Sequence, residues 1–177
     1  MTPENLEKIR SAIRNVPDFP KAGIQFKDIS TAIKQPALLK FIVEDMATQF
    51  DRAGITKVVA VESRGFITGG ALACKLGAGF VPVRKPGKLP AETFSKTYHL
   101  EYGTDTLEIH RDALVPGDVV LLHDDLLATG GTSLAAIDLI KNFDIRCILI
   151  SFIIELDALE GRSRLSPPYE VYSQVHF

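Results

Sequence analysis

The chain of 177 residues has no tryptophan, two methionines and two cysteines. Cys74 and Cys147 are far apart, with no CxxC pair and no metal-ligand spacing, which sets aside a disulfide framework or a cysteine metal site. Both lie in apolar runs and are expected to be buried free thiols in a reducing, cytoplasmic setting. Charge of one sign is also missing. The net charge is −2, so there is no polyanion-binding signature and no nucleic acid is expected as a partner. The longest apolar run, Cys147–Ile154, has strand length and falls short of the roughly 20 residues of a membrane span. The opening MTPENLEKIR lacks the apolar core of a signal peptide. No repeat, low-complexity tract or interdomain linker divides the chain, so residues 1–177 are expected to form one domain.

What is present is 46% hydrophobic and 24% charged, typical of a soluble globular protein with a proper core. Thr2-Pro3-Glu4 starts a helix reaching about Asn15. Val16–Lys34, with Pro17, Pro20 and Gly23, has no clear period and predicts a long irregular segment. Its Phe19, Ile24 and Phe26 read as a lid packed over the core. Pro36–Ala53 predicts a helix ended by Gly54, and Lys57–Val61 a buried strand. A tight turn, Glu62-Ser63-Arg64-Gly65, leads into a helix over Phe66–Leu76, and Gly79–Val83 is another strand. Arg84–Gly103 carries Arg84, Lys85, Lys88 and Lys96 among prolines and glycines, a mobile basic excursion. A β-hairpin follows from the alternation in Thr93–Glu101 and Thr106–His110. Arg146–Glu155 and Tyr169–Val175 complete the strands. Strands alternating with helices predict an α/β fold with a central, mostly parallel sheet flanked by helices. Ligands collect at the carboxyl ends of such strands. That rim would gather Glu62–Gly65, Arg84–Lys88 and Asp124–Thr132.

The most informative stretch is Val119–Ser133, VVLLHDDLLATGGTS. A buried strand, Val119–Leu122, runs into the adjacent acids Asp124 and Asp125. A small turn, Ala128-Thr129-Gly130-Gly131-Thr132, then opens a helix reaching about Asn142. Backbone N–H groups at a helix N-terminus, with threonine hydroxyls beside them, suit a phosphate monoester. Neither a Walker A loop nor GxGxxG occurs at that turn. Acids at a strand end accept hydrogen bonds from sugar hydroxyls or hold Mg²⁺ through water. Adjacent strand residues point to opposite faces, which argues against a single dyad. Taken alone, the turn reads as an ordinary tight turn, the acids as solvated or helix-capping, and RKPGK as a solvated basic turn or an anion patch without catalysis. Glu101 alone is an ordinary strand-surface acid, and His123 a tolerated strand-end residue or a perturber of Asp124 titration.

The run DDLLATGGT resembles the phosphoribosyl-diphosphate (PRPP) signature of the type I phosphoribosyltransferases. ESRGF at 62–66, RKPGKLP at 84–90, LEYGTDTLEIH at 100–110 and PDFPKAGIQFKDIS at 17–30 resemble the branch that uses adenine. The resemblance implies the type I phosphoribosyltransferase fold, with an N-terminal base-covering segment (1–35) and a flexible catalytic β-hairpin loop (84–110). It implies a pentosyl transfer of purine salvage, from PRPP to adenine, giving AMP and pyrophosphate, with Mg²⁺ as cofactor. Ala128, Thr129, Gly130, Gly131 and Thr132 would hold the 5′-phosphate, and Asp124 and Asp125 the ribose hydroxyls, with either acid a candidate metal ligand through water. Glu62, Ser63, Arg64 and Gly65 would form the pyrophosphate turn, around a cis peptide in many members of the family, with Arg64 touching pyrophosphate. Arg84, Lys85 and Lys88 would add charge, partly from the neighbouring subunit of a homodimer. Phe26 would stack on adenine, with the backbone around Gln25 and Lys27 reading its edge. Glu101 would assist proton handling at the base. His123 stands where related sequences usually carry an aliphatic residue. A same-fold enzyme for another purine and a non-catalytic PRPP sensor are the alternatives.

Overall fold

The computed structural model describes residues 3–99 and 103–177. In chain order the elements are α1 (Pro3–Ala12), β1 (Arg14–Pro17), β2 (Gln25–Asp28), the single turn α2 (Ser30–Ile33), α3 (Pro36–Phe50), β3 (Lys57–Val61), α4 (Arg64–Leu76) and β4 (Gly79–Val83). They continue as β5 (Thr93–His99), β6 (Thr104–His110), β7 (Val119–Leu127), α5 (Gly131–Ile140), β8 (Cys147–Glu155) and β9 (Glu170–His176). Two short 3-10 turns, Asp157–Leu159 and Gly161–Arg164, join β8 to β9.

The predicted parallel sheet is present, in the order β4-β3-β7-β8-β9. Its strands are apolar because both faces are covered. Val58 and Leu121 pack with α1, α3 and α4 through Ile9, Ile42, Met46 and Leu72. Val59, Val120 and Leu122 pack on the other face with Ile137 and Ile140 of α5. Alternate residues of one strand thus serve two cores. β7 does not stop at Leu122. It continues through Asp124 and Asp125 to Leu127, because β8 runs beside it as far as the Leu127↔Glu155 pair. β3, by contrast, pairs with β7 only up to Ala60↔His123. The acid pair therefore projects beyond the end of its shorter neighbour.

Several expectations change. Val16–Lys34 is not irregular throughout: β1 and β2 form an antiparallel hairpin, from Arg14↔Asp28 to Pro17↔Gln25. Nor do its apolar residues pack over the core: Phe19 is 51% and Ile24 41% exposed, with the Phe19 ring set edge-on to half-buried Phe26 at 5.1 Å. Cys74 and Cys147 are both exposed. Cys74 lies on the outer side of α4, whose inward residues are Leu72 and Ala73, and Cys147 opens β8 at the sheet's margin. The hairpin within 84–110 is anchored at its base. Leu107 and Ile109 are fully buried, and Phe94 meets Phe143 edge-on at 5.6 Å.

α4 lies close to the sheet because two glycines face it. A Cβ at Gly65 would meet Asp124 Oδ1 at 2.9 Å, and one at Gly69 would meet Ala60 Cβ at 2.7 Å. Gly69→Ala is therefore expected to lower stability by about 1–3 kcal/mol through overpacking. Gly70→Ala, where nothing lies within 4 Å, should be neutral or slightly stabilising as a better helix former. Urea unfolding measures both, and equal midpoints for the two variants would contradict this packing.

Candidate active site

The carboxyl ends of β3, β4 and β7 share one rim, and the turns leaving them meet there. β3 leads into Glu62 and Ser63, joined by a cis peptide bond, and α4 begins at Arg64. Backbone N–H of Glu62 donates to Val83 O at 2.9 Å, tying this turn to the end of β4. Arg64 Nε lies 3.0 Å from Asp125 Oδ2. The Arg64 guanidinium also stands 4.8 Å over the Phe26 ring. One side chain thus links the β3–α4 turn, the acid pair and the N-terminal hairpin.

Asp125 is buried and Asp124 half-buried. Backbone N–H of Asp125 donates to Asp124 Oδ1 at 2.8 Å. Burial, and then the adjacent Asp125 charge, push the Asp124 carboxyl well above the usual range. Burial also raises Asp125, against the opposing pull of Arg64. Among the described residues neither Arg64 Nη1 nor Asp125 Oδ2 has a hydrogen-bond partner although both are buried; the Arg64–Asp125 contact is an ion pair by distance only. Buried polar atoms without partners are costly, and these two face a rim built from polar turns.

Ala128–Thr132 caps the end of β7. Gly130 is left-handed, with φ +79°, and α5 starts at Gly131 with no side-chain cap. Among the described residues its first backbone N–H groups have no side-chain cap, the arrangement in which helix N-termini attract anions. Tyr98 Oη of the hairpin approaches Thr132 Oγ1 at 3.3 Å.

The basic residues are already occupied. Glu62 accepts from Arg84 Nε at 2.8 Å and from Lys88 Nζ at 3.0 Å. Burial works to raise Glu62, but these bonds outweigh it and hold the carboxyl below its ordinary value. Lys85 is paired with Asp105. The Gln25 side chain accepts from Asn15 at 2.6 Å, and Lys27 Nζ stands 4.1 Å over the Phe177 ring, so both are turned to other partners. Glu101 lies outside the described residues.

Two features were not seen in the sequence. Glu62, read there only as part of a turn, is a hub for two cations 22 and 26 positions away. The tail after Ser133, read as merely completing the fold, supports the phosphate-sized turn. Gly161 packs so tightly that a Cβ would lie 2.1 Å from Ala128 O. Arg164 Nη1 donates to Thr129 O at 2.8 Å. A glycine within a polar tail, Glu160–Ser166, was the available signal.

His123 is also placed. It is fully buried, with Nε2 2.8 Å from Thr68 Oγ1 and Nδ1 3.0 Å from Ser151 Oγ. Burial lowers its pKa to about 4, so the ring is neutral near pH 7.

The phosphoribosyl transferase domain family matches residues 30–175. A protein of Pelobacter propionicus named adenine phosphoribosyltransferase is 54% identical over 172 residues, covering 97% of this chain and 99% of the relative. The crystal structure of adenine phosphoribosyltransferase from Rhodothermus marinus superposes with a TM-score of 0.94 at 50% identity, covering 99% of this chain and all of that one. The Saccharomyces cerevisiae enzyme, solved with an imino-altritol bisphosphate and adenine, gives 0.92 at 37% identity, covering 98% of this chain and 100% of that one.

Because His123 titrates near 4 in the folded chain against an ordinary 6.5, the unfolded chain binds the extra proton between those values. Its effect on stability is therefore nil above about pH 6.5 and grows more unfavourable as pH falls toward 4, reaching about 3 kcal/mol. Urea unfolding at about pH 7 and about pH 4.5 should show a smaller loss for His123→Leu than for wild type. Equal losses in the two proteins would contradict the buried neutral ring.

Proposed function

The chain belongs to the phosphoribosyltransferase family, and on that premise we propose that it transfers the 5-phosphoribosyl group of PRPP to adenine, giving AMP and pyrophosphate. The observation that carries the reading is Arg64, set between Asp125 at 3.0 Å and the Phe26 ring at 4.8 Å. PRPP and adenine together present pyrophosphate, ribose and a flat base, and they need a cation, a diol acceptor and an aromatic surface side by side.

In this reading the N–H groups of Ala128–Thr132 and the start of α5 hold the 5′-phosphate. Asp124 and Asp125 accept the ribose hydroxyls. Glu62-Ser63-Arg64-Gly65 receives the pyrophosphate, and Arg64 counters its charge. Arg84 and Lys88 exchange Glu62, and Lys85 exchanges Asp105, for the incoming phosphates. Phe26 stacks on adenine, while the backbone at Gln25 and Lys27 reads its edge; the outward engagement of both side chains is compatible with that. Glu101 manages the proton of the base. The C1–O bond to pyrophosphate breaks as purine N9 forms its bond to C1, through an oxocarbenium-like state. The residues hold N9 in line and stabilise the departing charge. The hairpin in 84–110 keeps out water, the competing nucleophile.

Mg²⁺ takes oxygen ligands, and the adjacent carboxyls of Asp124 and Asp125 at the end of β7 fit that need, although Asp125 Oδ2 itself faces Arg64. Asp124 or Asp125 would hold it, directly or through water, and it would neutralise diphosphate charge. A homodimer belongs to the proposal, supported by exposed Ile67 on α4 and Phe80 on the edge strand β4. So does a cytoplasmic setting, where an activated sugar phosphate is at hand; among the described residues no helix is long and apolar enough to cross a membrane.

The test is a base panel. Protein, Mg²⁺ and PRPP are incubated with adenine, guanine or hypoxanthine, and the nucleotides are separated. AMP from adenine, with Arg64→Ala and Asp125→Asn each lowering kcat/KM by roughly a hundredfold or more, is the expected result. GMP or IMP in its place would move the reading to another purine, and PRPP binding without turnover would make the chain a sensor.

A further inference from the structure

Nothing in the transfer chemistry uses His123, yet it is the residue immediately before the acid pair. Its ring joins three elements. Nε2 meets Thr68 of α4 at 2.8 Å and Nδ1 meets Ser151 of β8 at 3.0 Å. Thr68 and Ser151 are buried along with the ring. In a neutral imidazole one nitrogen donates and the other accepts, so both bonds are satisfied together and both are directional.

The position of the Thr68 bond gives it its effect. Thr68 lies one helical turn after Arg64, on the same face of α4. Around it the contact of α4 with the sheet is lined by glycine. Beyond Gly65, which faces Asp124 Oδ1, a Cβ at Gly69 would come within 3.3 Å of His123 Cδ2. Glycines permit close approach but offer no side chain to interlock, and the buried Leu72 that packs α4 into the core lies one turn beyond Thr68, farther from Arg64. The Thr68–His123 bond supplies a fixed point on this face.

We propose that His123 is a positioning residue: through Thr68 it fixes the spacing between the pyrophosphate turn on α4 and the ribose-binding acids on β7. The inference rests on the roles given to those groups under the proposed function. Spacing of this kind matters only to a ligand that spans both. PRPP reaches from the Ala128–Thr132 turn across the acids to Arg64. Ribose 5-phosphate stops at the acids.

Thr68→Val keeps the side-chain volume and removes the hydroxyl. Titration calorimetry with Mg²⁺ present compares PRPP and ribose 5-phosphate on each variant. Thr68→Val should weaken PRPP by roughly tenfold, the scale of one buried bond lost, and leave ribose 5-phosphate within about twofold. Thr68→Ser, which keeps the hydroxyl, should restore PRPP affinity. Ser151→Ala strips the opposite side of the same ring without touching α4. It should lower the melting temperature yet leave the ratio of the two affinities unchanged. Equal weakening of both ligands by Thr68→Val, no weakening of either, or a ratio that changes equally in Ser151→Ala would overturn the proposal. If wild type binds PRPP and makes no AMP, the transferase reading fails while the comparison of affinities still decides this one. If wild type binds no PRPP, both fall.

Discussion

Asp125 is a carboxylate taken out of water, and a charge so placed is stable only beside an opposite one. Arg64 provides it at 3.0 Å, and much of the rim follows from that pair. To bring Arg64 there, the turn after β3 must be short and α4 must lie close to β7, which the inward glycines permit. To bring Asp125 there, β7 must outrun β3, which it does because β8 carries the ladder on to Leu127. The far side of the guanidinium is then covered by Phe26 at 4.8 Å, a cation–π contact that seats the N-terminal hairpin on the site.

The same economy governs the other charges. The rim is rich in cations, but Arg84 and Lys88 are held by Glu62 and Lys85 by Asp105. A polyanion entering the rim thus competes with internal carboxylates rather than with water alone. These pairs are partly exposed, so each contributes little to stability and is readily exchanged. Asp125 and Arg64 differ: among the described residues each keeps a buried atom without a hydrogen bond. Atoms left in that condition in a folded chain are commonly those a ligand completes.

Much of this was legible in the sequence. Short β-branched runs between amphipathic helices predicted the parallel sheet, and parallel topology predicted that Glu62–Gly65, Arg84–Lys88 and Asp124–Thr132 would meet. The β1–β2 hairpin was hidden because Pro17, Pro20 and Gly23 break the alternation that marks strands. The exposure of Cys74 was hidden because α4 is apolar on more than its inward face. The support from Gly161 and Arg164 acts through backbone atoms of Ala128 and Thr129, and no side-chain motif encodes such a contact. The pairing of Glu62 with Arg84 and Lys88 depends on β3 and β4 ending side by side, a tertiary fact. His123 was visible as an oddity, but its two hydroxyl partners lie 55 and 28 positions away.

In the proposed function one rim, anchored by the Arg64–Asp125 pair, receives phosphate, sugar and base in a fixed order. A crystal structure of the chain with AMP tests this most directly. The expected result is the 5′-phosphate against the N–H groups of Ala128–Thr132, the ribose hydroxyls on Asp124 and Asp125, and the adenine ring on Phe26. AMP bound with its phosphate at the Arg64 turn, or with its base away from Phe26, would contradict it.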